Sequence, residues 1–221
     1  MNRIVPLIVC LALACTPLCA HDLLPPDWRG EPRSTLQIWE YFTPELYDPA
    51  TVDSNAYGTP VAKPDSWNPW SFTGNFLGPC CGGTWPGGWY IGGTDDYGGS
   101  IILELPNAPE MPDEKWFRVQ ITSTRVPYTN YGFSVELGTN YWHPENTFTW
   151  VTNWNCSNWV THVSDWTIGY NPSQEIMYLD FPSDTIVAQI ACDTWCTPEP
   201  VAVIALGLCV LLARRRSQAL H

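Results

Sequence analysis

Four tryptophans stand in two short runs, Trp67-Asn68-Pro69-Trp70 and Trp85-Pro86-Gly87-Gly88-Trp89, inside a stretch dense in Gly, Pro and Asp. Flat rings beside amides and carboxylates suit the recognition of sugars. A pyranose lays its C–H face on an indole while polar neighbours take the hydroxyls, and Asp65, Asn68, Asn75 and Asp95 stand close in sequence for that. The opposing expectation is that these rings only pin long loops to a core, as large aromatic side chains often do. Other reactive side chains form no constellation. His143 lies in a Trp-His-Pro run and His162 in an alternating segment, while His21 and His221 are terminal. No G-x-S-x-G elbow, H-E-x-x-H helix or phosphate-binding glycine loop occurs, so the chain reads as non-catalytic. A glycosidase needs two carboxylates about 5 to 9.5 Å apart, and no acidic pair singles itself out. Asp95-Asp96 between glycines is a candidate for structural calcium, although the D-x-D-x-D-G spacing is absent; no other cofactor is expected.

Nine cysteines divide unevenly. Cys10, Cys15 and Cys19 belong to an N-terminal apolar segment and Cys209 to a C-terminal one, which leaves Cys80, Cys81, Cys156, Cys192 and Cys196. In an exported chain these read as disulfide candidates. The expected bridge joins Cys80 or Cys81 to Cys156. Zinc is disfavoured, because Cys192-x-x-x-Cys196 lacks a matching second pair with histidines.

These side chains must be carried by strands. Between His21 and Trp195 the hydrophobic period is two: Phe117, Val119 and Ile121 oppose Arg118 and Gln120, and Phe133, Val135 and Leu137 alternate with Ser134 and Glu136. Ile101, Leu103 and Leu105 share a face, as do Ile186, Ala188, Ile190 and Cys192. Thr35–Phe42, Phe148–Trp154, Trp159–Ile168 and Glu175–Phe181 are further expected strands, and Trp39, Trp116, Trp159 and Trp166 on them are assigned to structure. Pro106-Asn107-Ala108-Pro109, Tyr128–Gly132 and Asn171-Pro172-Ser173 supply turns between these runs. The pattern predicts an all-β domain over residues 21–195, an antiparallel β-sandwich of jelly-roll type. Asp48–Gly99, weak in strand periodicity apart from Trp89-Tyr90-Ile91, is expected to form one or two extended loops over the sandwich or a poorly ordered surface.

The two ends are unlike the middle. Residues 1–20 carry Arg3, an apolar stretch from Ile4 to Ala14, and Ala20, the layout of a secretory signal helix cleaved after Ala20. Lipidation at Cys15 is the alternative. At the other end an apolar run, Val201–Ala213, precedes Arg214-Arg215-Arg216. Thirteen residues fall short of the roughly 20 that a transmembrane helix needs. With four of ten basic residues in these ends, the rest of the chain holds six against 22 acidic ones, a net of −16. Such a surface excludes nucleic acid, whose binding relies on Lys and Arg at phosphates.

Pro198-Glu199-Pro200, a short apolar helix over 201–213 and an arginine cluster, in that order within residues 196–221, resemble the PEP-CTERM sorting signal of bacterial envelope proteins. The resemblance implies an exosortase-type processing enzyme as partner, with Pro198, Glu199 and Pro200 as its recognition element. It also implies transient residence in the inner membrane, for which a short helix suffices, and Arg214, Arg215 and Arg216 held on the cytoplasmic side. The body resembles, more loosely, uncharacterised exported proteins in which an aromatic-rich β-sandwich runs into such a tail. Asp193-Thr194-Trp195-Cys196 and Asn55–Pro60 carry that likeness. The expected function is an exported, non-catalytic protein of the cell envelope or extracellular matrix. The alternatives are a carbohydrate-binding module for neutral polysaccharide and, behind it, a secreted hydrolase or lyase.

Overall fold

The structure, a computed structural model, describes residues 24–65, 70–74, 76–77, 84–92, 97–107, 114–127, 133–137, 140–142, 146–151, 159–168 and 174–196. The signal segment, the sorting tail, Trp67, Cys80, Cys81, Asp95-Asp96, His143 and Cys156 lie outside them. Among the described residues there is no helix long and apolar enough to cross a membrane.

Every paired strand is antiparallel, and two sheets close on one core. In chain order the strands are β1 (Ser34–Glu40), β2 (Asp48–Pro49), β3 (Val52–Asp53), β4 (Val61–Pro64), β5 (Trp70–Thr73), β6 (Phe76–Leu77), β7 (Thr84–Trp85) and β8 (Gly88–Ile91). There follow β9 (Tyr97–Pro106), β10 (Lys115–Ser123), β11 (Phe133–Leu137), β12 (Asn140–Trp142), β13 (Asn146–Val151), β14 (Val160–Ile168), β15 (Gln174–Pro182) and β16 (Thr185–Cys196). The first sheet runs β13-β14-β10-β16-β1-β3, and the early part of β16 also pairs with β8, which pairs with β5. The second sheet runs β12-β11-β15-β9-β4-β2. The small hairpin β6–β7 stands apart.

The period-two pattern explains the core directly. Trp39, Phe117, Val119, Ile121, Trp166, Ile190 and Cys192 of the first sheet meet Ile101, Leu103, Leu105, Met177, Leu179 and Phe181 of the second, all essentially sealed from solvent. Burying side chains of this size supplies about 1.5–3 kcal/mol each, and the alternate residues on each strand are left to face outward.

The structure corrects the sequence reading in three places. The described parts of residues 48–99 are more than loop, because the short strands β2–β8 within them join both sheets and the small hairpin. Their brevity hid them, since two to four residues cannot display a period. Ile186 and Ala188 do not share a face with Ile190 and Cys192. A register shift in the β10–β16 pairing near Thr122 and Ser123 inverts the alternation. Val187 therefore enters the main core, while Ile186 and Ala188 pack with Trp85, Trp159 and Phe76 in a second cluster. Finally, the last strand runs through buried Cys196, one residue past the expected boundary.

Candidate functional site

The outward face of the first sheet carries the chemistry. Alternation on β10 points Trp116, Arg118 and Gln120 away from the core. Pairing sets Trp116 between Trp195 and Thr167, and Arg118 between Asp193 and Asp165. An aromatic row therefore lies beside a charged row. The Arg118 guanidinium grips both oxygens of Asp165, at 2.7 and 2.8 Å. This pair holds Arg118 more firmly protonated than usual.

Residues 24–33 form a strap over this face. Turn hydrogen bonds from Arg29 N to Pro26 O, Glu31 N to Trp28 O and Ser34 N to Glu31 O shape it. Gly30, at φ 86°, takes a left-handed conformation that a residue with a Cβ adopts only at a cost. The strap is tied down at several points. Leu24 N donates to Gln120 Oε1, Arg118 Nη1 donates to Leu24 O, and Trp195 Nε1 donates to Pro32 O. Arg29 donates through Nε and Nη2 to the two oxygens of fully buried Asp193, 2.5 Å each. Charge-assisted bidentate pairs of this kind are among the stronger polar contacts in proteins.

Between strap and sheet runs a groove of about 250 Å³, lined by Pro26, Asp27 and Trp28 on one side and by Trp116, Arg118, Asp165 and Thr167 on the other. Trp28 stacks on Trp195, with centroids 6.1 Å apart and planes at 16°, and Trp116 meets Trp195 edge-on at 6.4 Å. The Trp116 ring is 41% exposed. A concave site with apolar walls and a few convergent polar groups is suited to a ligand. Here the walls are indoles and the polar groups are two carboxylates, a guanidinium and a hydroxyl.

Of the four tryptophans expected to form a binding surface, Trp67 lies outside the described residues, and Trp85 and Trp89 are buried anchors. Trp89 is fully buried in the main core, stacks on Phe42 at 4.5 Å and donates from Nε1 to Thr43 O. Trp85 is buried in the second cluster. Trp70 is half-buried, edge-on to Trp89 at 6.0 Å, and is the member of the set that keeps a partly open ring. The physical reason lies in the glycines between them. A Cβ on Gly87 would sit 2.2 Å from Phe42 O, so the backbones approach closely enough to draw the neighbouring indoles inward. Trp116 is corrected in the opposite sense, from structural to exposed. Its signal was present, since it shares the parity of Arg118 and Gln120.

His162 is buried on the core face of β14, where desolvation pushes its pKa down to about 4 and keeps it neutral. The Cys192 thiol is buried in the main core, and burial raises its pKa far above the range of a reactive cysteine. Cys196 is buried beside Lys115 in the β10–β16 register. No disulfide occurs among the described residues, and no cluster of three or more His, Cys, Asp or Glu side chains there could hold a metal ion. No family model matches the chain, and no curated protein or solved structure is significantly similar to it.

Proposed function

We propose that this chain is an exported, non-catalytic protein displayed in a bacterial cell envelope or matrix, carried by a jelly-roll-type sandwich and released from the inner membrane at a PEP-CTERM-type tail. A signal helix cleaved after Ala20 directs export, and an exosortase-type enzyme recognises Pro198-Glu199-Pro200. The observation that supports this best is the place of the last described strand. Strand β16 lies inside the first sheet, between β10 and β1, and runs to Cys196, two positions before Pro198. A domain whose sheet is completed so near the tripeptide can fold outside the membrane while the tail still holds it. Replacing Glu199 by Ala tests the reading: full-length protein should accumulate in the inner membrane, and unchanged maturation would refute the assignment.

A second reading, binding of a neutral glycan, is favoured by the groove at Trp116. The strongly acidic surface repels anionic polymers, while an open indole beside Asp165, Arg118 and Thr167 offers a stacking face with hydroxyl partners. Affinity electrophoresis in neutral polysaccharides should show retardation that Trp116→Ala abolishes. Equal mobility of wild type and variant in every polysaccharide would leave display as the whole function.

A further inference from the structure

At one end of the sandwich an amine, a carboxamide and a carboxylic acid converge in a dry site. Lys115 opens β10 in the first sheet; Glu175 lies on β15 in the second, opposite Leu105 of β9; Asn107 directly follows β9. Lys115 is 1% exposed, Glu175 fully buried and Asn107 nearly so. Lys115 Nζ donates to Asn107 Oδ1 at 2.5 Å and to the Glu175 oxygens at 2.7 and 2.8 Å. Asn107 Nδ2 donates to Glu175 Oε1, which closes a triangle. The Phe117 ring lies 4.8 Å from Nζ. An ion pair in such a place is not obviously a gain for stability, because the lost hydration of both charges can outweigh their attraction. A chemical role accounts for the arrangement.

We propose that Lys115 and Asn107 join in an intramolecular isopeptide bond, with Glu175 shuttling the protons. The amine already touches the oxygen of the amide that it would attack, one bond from the carbonyl carbon. Glu175 takes a proton from the Lys115 ammonium, and the neutral Nζ adds to Asn107 Cγ. Glu175 hands its proton to Nδ2 and receives the next one from Nζ. The Cγ–Nδ2 bond then breaks, the Nζ–Cγ amide remains, and the departing ammonia carries away the last proton as ammonium. Atoms and charge balance, and no oxidant, nucleotide or metal is required. Burial raises Glu175 to about 7, so it can hold or release a proton near neutral pH. Fixed proximity supplies the rest, as oriented intramolecular reactions reach effective concentrations of about 10⁵ M or more. The reaction is a single self-modification and consumes no external substrate, so it is independent of the display and glycan readings. The product ties the first sheet to the second at the β9–β10 connection.

The test is peptide mapping of the full chain recovered after folding, unfolded and digested. The peptide bearing Asn107 and Lys115 should be lighter by one ammonia. Trypsin should fail to cut after Lys115, and cleavage after Glu110 should leave the two halves joined. Asn107→Asp should still cross-link, with loss of water in place of ammonia. Glu175→Gln should leave both residues unlinked in a folded chain. Because the wild-type protein carries the primary readout, a variant that fails to fold does not shield the proposal. Unaltered mass with normal cleavage at Lys115 overturns it, and so does ammonia loss with Lys115 still cleavable, the mark of a cyclised asparagine elsewhere.

Discussion

Replacing Trp89 by Ala distinguishes a buried anchor from a binding ring more sharply than any other single change. The side chain is completely buried, its face lies on Phe42 at 4.5 Å, its edge faces Trp70, and its Nε1 donates to Thr43 O. Truncating a buried Trp costs about 3–5 kcal/mol, a value that already contains the cavity left behind. The stacked pair accounts for about 0.5–1.5 kcal/mol of that, and the indole hydrogen bond for about 1 kcal/mol. Domains hold only about 5–15 kcal/mol in all. With a urea slope of roughly 2 kcal/mol/M, the unfolding midpoint should fall by about 1.5–2.5 M at unchanged slope, followed by tryptophan fluorescence and circular dichroism together. Trp89→Phe keeps most of the ring and should recover more than half of the loss. Trp116→Ala, at an exposed position, should shift stability by about 0.5 kcal/mol or less. A loss below about 1 kcal/mol for Trp89→Ala would refute the burial argument.

Two further outcomes follow from the same geometry. His162 is held neutral with its pKa lowered from 6.5 to about 4, so the unfolded chain binds the proton more readily. Its contribution is complete above pH 6.5 and is lost as pH falls toward 4; the melting temperature should drop across that window, and His162→Leu should flatten the drop. Gly87→Ala would bring a Cβ to 2.2 Å from Phe42 O, a backbone atom that cannot step aside. It should cost about 1–3 kcal/mol, measurable by the same urea titration.

The sequence by itself determined the class of the fold. Strands of nine or more residues such as β9 and β10 repeat their alternation often enough that one face must be apolar, and the faces named for β9 and β10 are among those that meet in the core. The same parity placed Trp116 outward beside Arg118, a signal overridden by the general tendency of tryptophan to be buried. Tertiary structure alone decided three things. Strands of two to four residues such as β7 and β8 have no period, and their orientation comes from neighbours that only the fold supplies. The register shift near Ser123 sends Ile186 and Ala188 to the opposite face from Ile190, which no periodic reading of β16 alone can foresee. Both candidate sites depend on contacts far apart in the chain. Arg29 reaches Asp193 across 164 residues to close the groove, and Lys115 reaches Glu175 across 60. Side chains separated in this way meet because sheet pairing brings their strands together, and pairing partners are chosen by the packing of the whole domain rather than by the residues around each site.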